Sequence, residues 1–335
     1  MGRNQTWVRN WVSYVAARVG AMGLTLIDAE TALGAATIVG RQLYRVDERH
    51  RVRAAGNIQR AFPEWSEARV QQVTRGSFEH LVQLVVEVLH LPRLINRDTW
   101  PRHLLLGDVA STIELLNAGR PVILLTGHVG NWEVLGYLMA VLGYPLDAIA
   151  RPLNNPLIYE WLLDVRQRHG MRIITKWDAT DRMLQTLNAG GALGFIADQN
   201  AGDKGVFVPF FGRLASTYKS IGLLAIRRNV PIVCGFAQRV SLRYQYVLGA
   251  TDVIYPEDWK DRRDPLYYVT ARYVRAIEQM VRQSPEQYLW SHRRWKSRPR
   301  HERLGRRMPA SLRQNLRDLP WIGDQELEQL MAPGA

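Results

Sequence analysis

A chain of 335 residues that is 47% hydrophobic can bury a large core, which excludes a disordered protein and favours one large domain with accessory segments. Its single cysteine, Cys234 in "VPIVCGFA", excludes a disulfide framework and argues against a structural metal site; it reads as a buried strand thiol. The formal charge of +13 asks for an anionic partner, and nucleic acid, anionic lipid headgroups and an acidic carrier protein all qualify.

In "NQTWVRNWVSYVAARVGAMG" the residues Trp7, Val8, Trp11, Val12, Val15 and Val19 recur at helical spacing, while Arg3, Arg9 and Arg18 interrupt any long apolar run. That pattern predicts a helix lying in the headgroup layer of a membrane with its tryptophans at the interface. The next stretch is more apolar but carries Asp28 and Glu30 at its centre. One such charge at mid-bilayer costs about 2.5–3.5 kcal/mol. An amphipathic hairpin, or a helix packed on the domain, is therefore expected over residues 1–45 in place of a span, with ordinary core-packing helices as the alternative. No secretory signal is visible, and "MGRNQT" fits the loose myristoylation pattern only as a match of low information.

Helical spacing continues from Asp47 to His90, broken at "FPEWSEARV", where Pro63 ends one helix and Ser66 opens another. From residue 121 the texture changes. "PVILLTG", "LDAIAR", "MRIIT", "ALGFIAD" and "VPIVCGFA" are short apolar or β-branched runs, separated by helix-like stretches at about 131–142, 156–169, 179–189 and 217–229. The alternation predicts an α/β domain over 46–300, a central mainly parallel mixed sheet flanked by helices. "SLRYQYVLGATDVIY" adds an antiparallel pair, and a last helix runs through "DPLYYVTARYVRAIEQMVRQ" to Ser284-Pro285. Residues 301–335 form a basic C-terminal extension with a short helix.

"TGHVGNWE", residues 126–133, is then the turn at the carboxyl end of the first of these strands, where open α/β sheets bind ligands. Gly127 and Gly130 permit a tight turn and close approach of a substrate. Glu133 falls in the first turn of the following helix and is within reach of His128, so its carboxylate would fix the imidazole tautomer and make His128 a general base; the bland alternative is a turn histidine capped by a carboxylate. No G-x-S-x-G nucleophile, G-x-G-x-x-G or Walker lysine loop occurs. A histidine–carboxylate pair without a nucleophile suits direct activation of an acceptor hydroxyl.

"LLTGHVGNWEVLG", "ARPLNNPLI", "ADQNAGDKGVFVPFFGRLAST" and "YLWSHRRWKSRP" occur in an order that resembles the bacterial lipid A late acyltransferases of the lysophospholipid acyltransferase superfamily, over roughly residues 40 to 300. The superfamily's HxxxxD/E motif matches at His128 and Glu133. The resemblance implies a lysophospholipid-acyltransferase-like fold and transfer of a fatty acyl chain from an acyl thioester, on acyl carrier protein or coenzyme A, to a hydroxyl of a lipid A precursor or related glycolipid. It implies no metal or other cofactor, and a place on the cytoplasmic face of the bacterial inner membrane. A phosphatidylinositol mannoside, lysophospholipid or ornithine-type acceptor, and a catalytically silent lipid- or carrier-binding scaffold, are the alternatives; nucleic acid is not expected.

On this reading a backbone N–H of Gly130 or Asn131, or the Arg151 guanidinium, meets the developing oxyanion, Arg151 holding a phosphate instead in the alternative. Asp198 and Gln199 wall the acceptor or acyl pocket, Asp198 bonding sugar hydroxyls. Lys204 and Arg213 touch headgroup phosphates while Phe207, Phe210 and Phe211 touch acyl chains. Arg293 and Arg294 dock an acidic carrier or lipid headgroups, and His292 hydrogen-bonds within the fold. His80 and His90 are read as structural or exposed.

Overall fold

The computed structural model describes residues 3–331 apart from 145, 151–152, 168–170 and 175–178. Four helices come first: α1 (Arg3–Leu26), α2 (Ala29–Val46), α3 (Glu48–Ala61) and α4 (Glu67–Leu94). Their starts are written locally. The side chains of Asp28, Asp47 and Ser66 accept from the N–H groups of Thr31, His50 and Arg69, satisfying donors that the first helical turn leaves orphaned.

α2 buries Ala29, Ala32, Leu33 and Ala36 in one cluster with Leu84, Val88 and Leu91 of α4. By contrast α1 leaves Trp7, Val8, Trp11, Val12, Val19 and Met22 exposed. It is fastened where Asn155 donates to the Asn10 carbonyl and Arg93 to the Thr25 carbonyl. No helix among the described residues is long and apolar enough to cross a membrane.

The sheet contains β1 (Leu104–Leu106), β2 (Val122–Thr126), β3 (Leu146–Ile149), β4 (Arg172–Ile174), β5 (Ala192–Ile196), β8 (Ile232–Arg239) and β9 (Tyr246–Ile254), while β6 (Val206–Phe210) and β7 (Arg213–Thr217) form a separate hairpin. Its order is β1-β9-β8-β2-β5-β3-β4. All neighbours are parallel except β8 and β9, which make a long antiparallel pair with a bulge between Cys234 and Gly235. The apolar runs read from the sequence are these central strands, continuous in hydrophobicity because both faces are covered.

Alternation along β2 shows the two layers. Ile123 and Leu125 join a core built with α9 (Lys219–Arg228) and α11 (Pro265–Gln283), whereas Val122 and Leu124 face Leu115 of α5 (Ala110–Asn117) and Met139 of α6 (Trp132–Val141). α7 (Pro156–Gln167) and α8 (Ala179–Asn188) follow β3 and β4, and the single turns α10 (Pro256–Trp259) and α12 (Arg300–Arg303) punctuate later loops. Beyond residue 301 the chain is less of a tail than its composition suggests: Leu316 lies in α13 (Ala310–Arg317), Leu330 in α14 (Asp324–Met331), and both with Leu319 are buried in the α11 core. The register that matters most is Thr126 opposite Ile196, because it makes β2 and β5 leave the sheet side by side at its carboxyl edge.

Candidate active site

Ala197 donates its N–H to the Thr126 carbonyl at 2.9 Å, so the two strands stay paired to their ends and residues 128 and 198 are brought together. The His128 N–H donates to Asp198 Oδ2 at 3.1 Å, and the His128 ring Nδ1 lies 2.7 Å from Asp198 Oδ1. Asp198 is buried. Burial alone would raise its pKa, but the charge of His128 and the hydrogen bonds from its ring and backbone outweigh this and hold the carboxyl well below the ordinary carboxylate range. An ionised carboxylate can only accept, so Nδ1 carries the hydrogen and Nε2 presents a lone pair.

Two rings flank this imidazole, Trp132 at 4.9 Å and His292 at 4.6 Å between centroids, both edge to face. His292 keeps a buried Nδ1 without a hydrogen-bond partner. Burial first, and then the charge of His128, push its pKa down to about 4 against the pull of Asp198, so its ring is neutral near pH 7. His128, Asp198 and His292 offer ligand atoms within 4.8 Å of one another, a set that could hold a cation. Asp198, however, already gives both oxygens to His128.

The carboxylate on His128 is thus Asp198, and not Glu133 as the local spacing suggested. Glu133 instead accepts from Arg166 Nε at 2.7 Å, from a second Arg166 nitrogen, Nη2, and from the Trp132 indole at 3.1 Å. Arg166 of α7 takes both oxygens of this carboxylate, which turns the Glu133 side chain toward α7 and not toward the histidine ring. The oxyanion expectation for the turn is likewise corrected: the Gly130 N–H donates to the Gln287 carbonyl at 2.9 Å and the Asn131 N–H to the Ala237 carbonyl at 2.7 Å. Both donors are spent on fixing the loop. Asn131 is a helix cap, its Oδ1 accepting from the Glu133 and Val134 N–H groups.

Other expectations fare differently. Arg151 lies outside the described residues. Gln199 and Lys204 are exposed, Lys204 in the turn before β6 and Gln199 beside Asp198. Arg213 opens β7 and is half-buried; Phe210 and Phe211 lie in the core, so the hairpin does not present those rings to a ligand. Arg294 is buried, donating to the Ser216 carbonyl at 2.5 Å and to Thr217 Oγ1 at 2.7 Å with its guanidinium over the Phe210 ring. It ties the hairpin to the last loop and is not available to a carrier or headgroup. Arg293 is exposed.

Beneath the turn sits a buried polar network that spacing alone did not reveal. His80, Gln83 and Glu87 project from one side of α4. His80 Nε2 lies 3.0 Å from the Gly130 carbonyl, Glu87 accepts from Arg239 Nη1 and Asn131 Nδ2, both at 2.6 Å, and Gln83 accepts from Arg239 Nη2. Burial, reinforced by the Arg239 charge, lowers the His80 pKa to about 3. An unfolded histidine protonates near pH 6.5, so the native state binds fewer protons from there down to about pH 3, and its stability falls as the pH drops through that window. Between pH 7 and pH 5 His80 is expected to remove about 2 kcal/mol from the unfolding free energy, read as a falling urea midpoint. His292 acts in the same direction. A midpoint that stays flat over this interval would contradict the buried neutral state of both rings.

On the Trp132 side of His128 an apolar cavity of about 320 Å³ opens between the sheet and helices α5 and α6. Thr126, Trp132, Glu133 and Arg166 stand at one end, and Leu116, Leu142 and Tyr144 at the other. It therefore runs the length of α6, ten residues or about 15 Å. Gly136, Gly194 and Gly235 remove side chains from its wall.

The model of a family described as "Bacterial lipid A biosynthesis acyltransferase" matches residues 4–297. A lipid A biosynthesis acyltransferase of Haemophilus influenzae is 25% identical over 246 residues, 72% of this chain and 74% of the relative. The lipid A biosynthesis palmitoleoyltransferase and lauroyltransferase of Escherichia coli (strain K12) are each 27% identical, over 73% and 72% of this chain and 78% of either relative.

Proposed function

The chain belongs to the bacterial lipid A biosynthesis acyltransferase family and is an acyltransferase; from that premise we propose that it transfers a fatty acyl chain from the thioester of acyl carrier protein or coenzyme A to a hydroxyl of a lipid A precursor, with His128 as general base. The observation that carries this is the His128–Asp198 pair, whose imidazole packs edge to face on Trp132, a residue that lines the apolar cavity. The alkyl chain of the donor fills the cavity, which leaves its thioester carbonyl beside the imidazole. His128 Nε2 takes the proton of the acceptor hydroxyl as the oxygen attacks that carbonyl, and Asp198 stabilises the imidazolium formed. Collapse of the tetrahedral intermediate breaks the carbon–sulfur bond, and the leaving thiolate takes the proton from His128. An ester and a thiol result, and the sequence of steps needs no metal.

With the Gly130 and Asn131 amides engaged, we assign the negative charge on the carbonyl oxygen to the neutral His292 ring. Glu133 is assigned to hold Arg166 at the cavity mouth. The outward tryptophans of α1 support attachment to an anionic membrane surface, and we place the protein on the cytoplasmic face of the inner membrane, where acyl carrier protein is available. Incubating purified protein with an acyl thioester and a lipid A precursor is expected to release thiol in step with formation of the acylated lipid. Thiol release that is independent of every lipid acceptor would contradict transfer.

The cavity also predicts a change of chain length. At Gly235 an added Cβ would meet only the Gly249 carbonyl oxygen, at 3.5 Å, so a larger side chain can be built there without moving backbone. Gly235→Leu should fill part of the cavity. Displacing three methylenes of the substrate costs about 2.4 kcal/mol, or roughly fifty-fold in kcat/KM for the longest donors, with shorter ones spared. A donor-length series that Gly235→Leu does not shift would place the alkyl chain elsewhere.

A further inference from the structure

Where α1 meets α4 and α7 the structure holds a groove of about 360 Å³ whose lining includes Arg18, Met22 and Thr25 of α1, Arg93 of α4, and Trp161 and Val165 of α7. Its walls are fastened together. Asn155, at the start of α7, donates to the Asn10 carbonyl at 2.9 Å, Arg93 donates to the Thr25 carbonyl at 2.7 Å, and the Arg18 guanidinium stands over the Trp161 ring at 5.2 Å. Both arginines are exposed, and among the described residues neither is in an ion pair and no carboxylate lines the groove. α1 itself contains no acidic residue, Glu160 and Asp164 of α7 are not among the lining side chains, and Asp28 accepts from the Thr31 N–H as the cap of α2. Arg93 spends one donor on Thr25, so most of the N–H groups of both forks are left for a ligand.

The neighbouring surface says which ligand. At about 100° per residue, Trp7, Trp11, Val12, Val19, Met22 and Leu26 fall within an arc of roughly 140° on α1, and all six are exposed. Arg18 and Thr25 fall at one border of that arc, so an apolar face runs directly into the cationic groove. A helix lying in a membrane interface sinks its apolar face about 5–10 Å, to the boundary of headgroups and acyl chains, which leaves its flank at the level of the phosphates. We propose that this groove binds the phosphate of an anionic glycerophospholipid of the surrounding leaflet, whose acyl chains run along the outward face of α1. Arginine forks meet phosphate oxygens bidentately, whereas a zwitterionic headgroup would bring its own ammonium up to two guanidinium groups. The inference rests on the membrane placement proposed above and deepens it by naming the headgroup class and its site. It also joins the bilayer to the chemistry. Val165 lines the groove and the next residue, Arg166, holds Glu133 in the wall of the apolar cavity, so one helix serves both sites.

The test is flotation of the full chain, at one ionic strength, with phosphatidylglycerol or phosphatidylcholine vesicles that hold neither thioester nor lipid A precursor, so the result does not depend on acyl transfer. The wild type is expected to bind the phosphatidylglycerol vesicles more tightly. Arg18→Gln and Arg93→Gln should each weaken that binding about fivefold and together about thirtyfold, with binding to phosphatidylcholine unchanged. Charge alone could do as much, so the deciding variant is Arg18→Lys with Arg93→Lys, which keeps both charges and loses both forks: it should remain about tenfold weaker than the wild type. Circular dichroism checks that every variant keeps its helices. Binding by the lysine pair at the wild-type level would overturn the site and leave only general attraction by charge, as would equal binding of the wild type to the two vesicles. Trp7→Ala with Trp11→Ala, expected to weaken binding to both vesicles alike, separates the two claims: equal wild-type binding that is lost with the tryptophans leaves α1 on the membrane and removes the headgroup site alone. Absence of flotation with either vesicle would contradict the attachment as well as the site.

Discussion

Asp198→Asn is expected to lower kcat by about 10³–10⁴ while the protein stays folded. Both oxygens of Asp198 are in use: one accepts the His128 backbone N–H at 3.1 Å, the other faces Nδ1 at 2.7 Å. An asparagine has one acceptor. If its oxygen keeps the backbone bond, its NH₂ group meets Nδ1 and forces the hydrogen onto Nε2, the nitrogen that must receive the acceptor's proton. The imidazolium also loses its counter-charge. Glu133→Gln should behave otherwise. It loosens the Arg166 contact at the cavity mouth, so its effect belongs in the donor KM and in stability more than in kcat. Steady-state kinetics of the two variants, with circular dichroism to confirm folding, separate the roles. Near-normal kcat in Asp198→Asn beside a thousand-fold loss in Glu133→Gln would restore the reading in which Glu133 serves the histidine.

Gly130→Ala is expected to destabilise the protein by about 4 kcal/mol or more. Gly130 has φ +59°, a left-handed conformation that costs an L-residue about 1–2 kcal/mol, and its Cβ would stand 2.2 Å from the Ala237 carbonyl oxygen. That oxygen cannot yield cheaply, because it accepts the Asn131 N–H at 2.7 Å. Moving the turn would also disturb the bond from Gly130 to Gln287 and the contact with His80. The loss should appear in a urea unfolding curve together with loss of activity. A cost under about 1 kcal/mol would mean that the turn is far more plastic than its bonds imply.

How much of this could be read from the sequence depends on the range of the interaction. The central strands were legible because each is a short apolar run buried on both faces, and the helix start at Ser66 because a cap bonds three residues away; Asp28, read as a charge within an apolar stretch, is instead the cap that begins α2. β1 and α5 were not, since three leucines and an eight-residue helix give too little periodicity. His128 was found from its position after an apolar strand, but its partner was misjudged, since five residues of spacing look closer than 70. The register of β2 on β5 makes the distant carboxylate the near one. "ADQN" at another strand end was the available signal, and it was read as pocket wall. His292 was read as hydrogen-bonded within the fold, whereas its ring packs on His128 with Nδ1 lacking a partner, and the His80–Glu87–Arg239 network joins α4 to β8 across some 150 residues, beyond any local pattern. Arg294 shows the converse: a basic run reads as a solvated face, yet one member of it is the buried tie between the hairpin and the last loop.

The most direct test of His128 as the base of an acyl transfer is lipid mass spectrometry of cells producing the wild-type chain beside His128→Ala, with both proteins shown to fold and to fractionate alike. A lipid one acyl chain heavier than its precursor in wild-type cells, and absent with His128→Ala, is the predicted result, and its mass gives the acceptor and the chain length together. The same heavier lipid at the same level in both cultures would show that the turn at residues 126–133 is structural and that the proton is taken elsewhere.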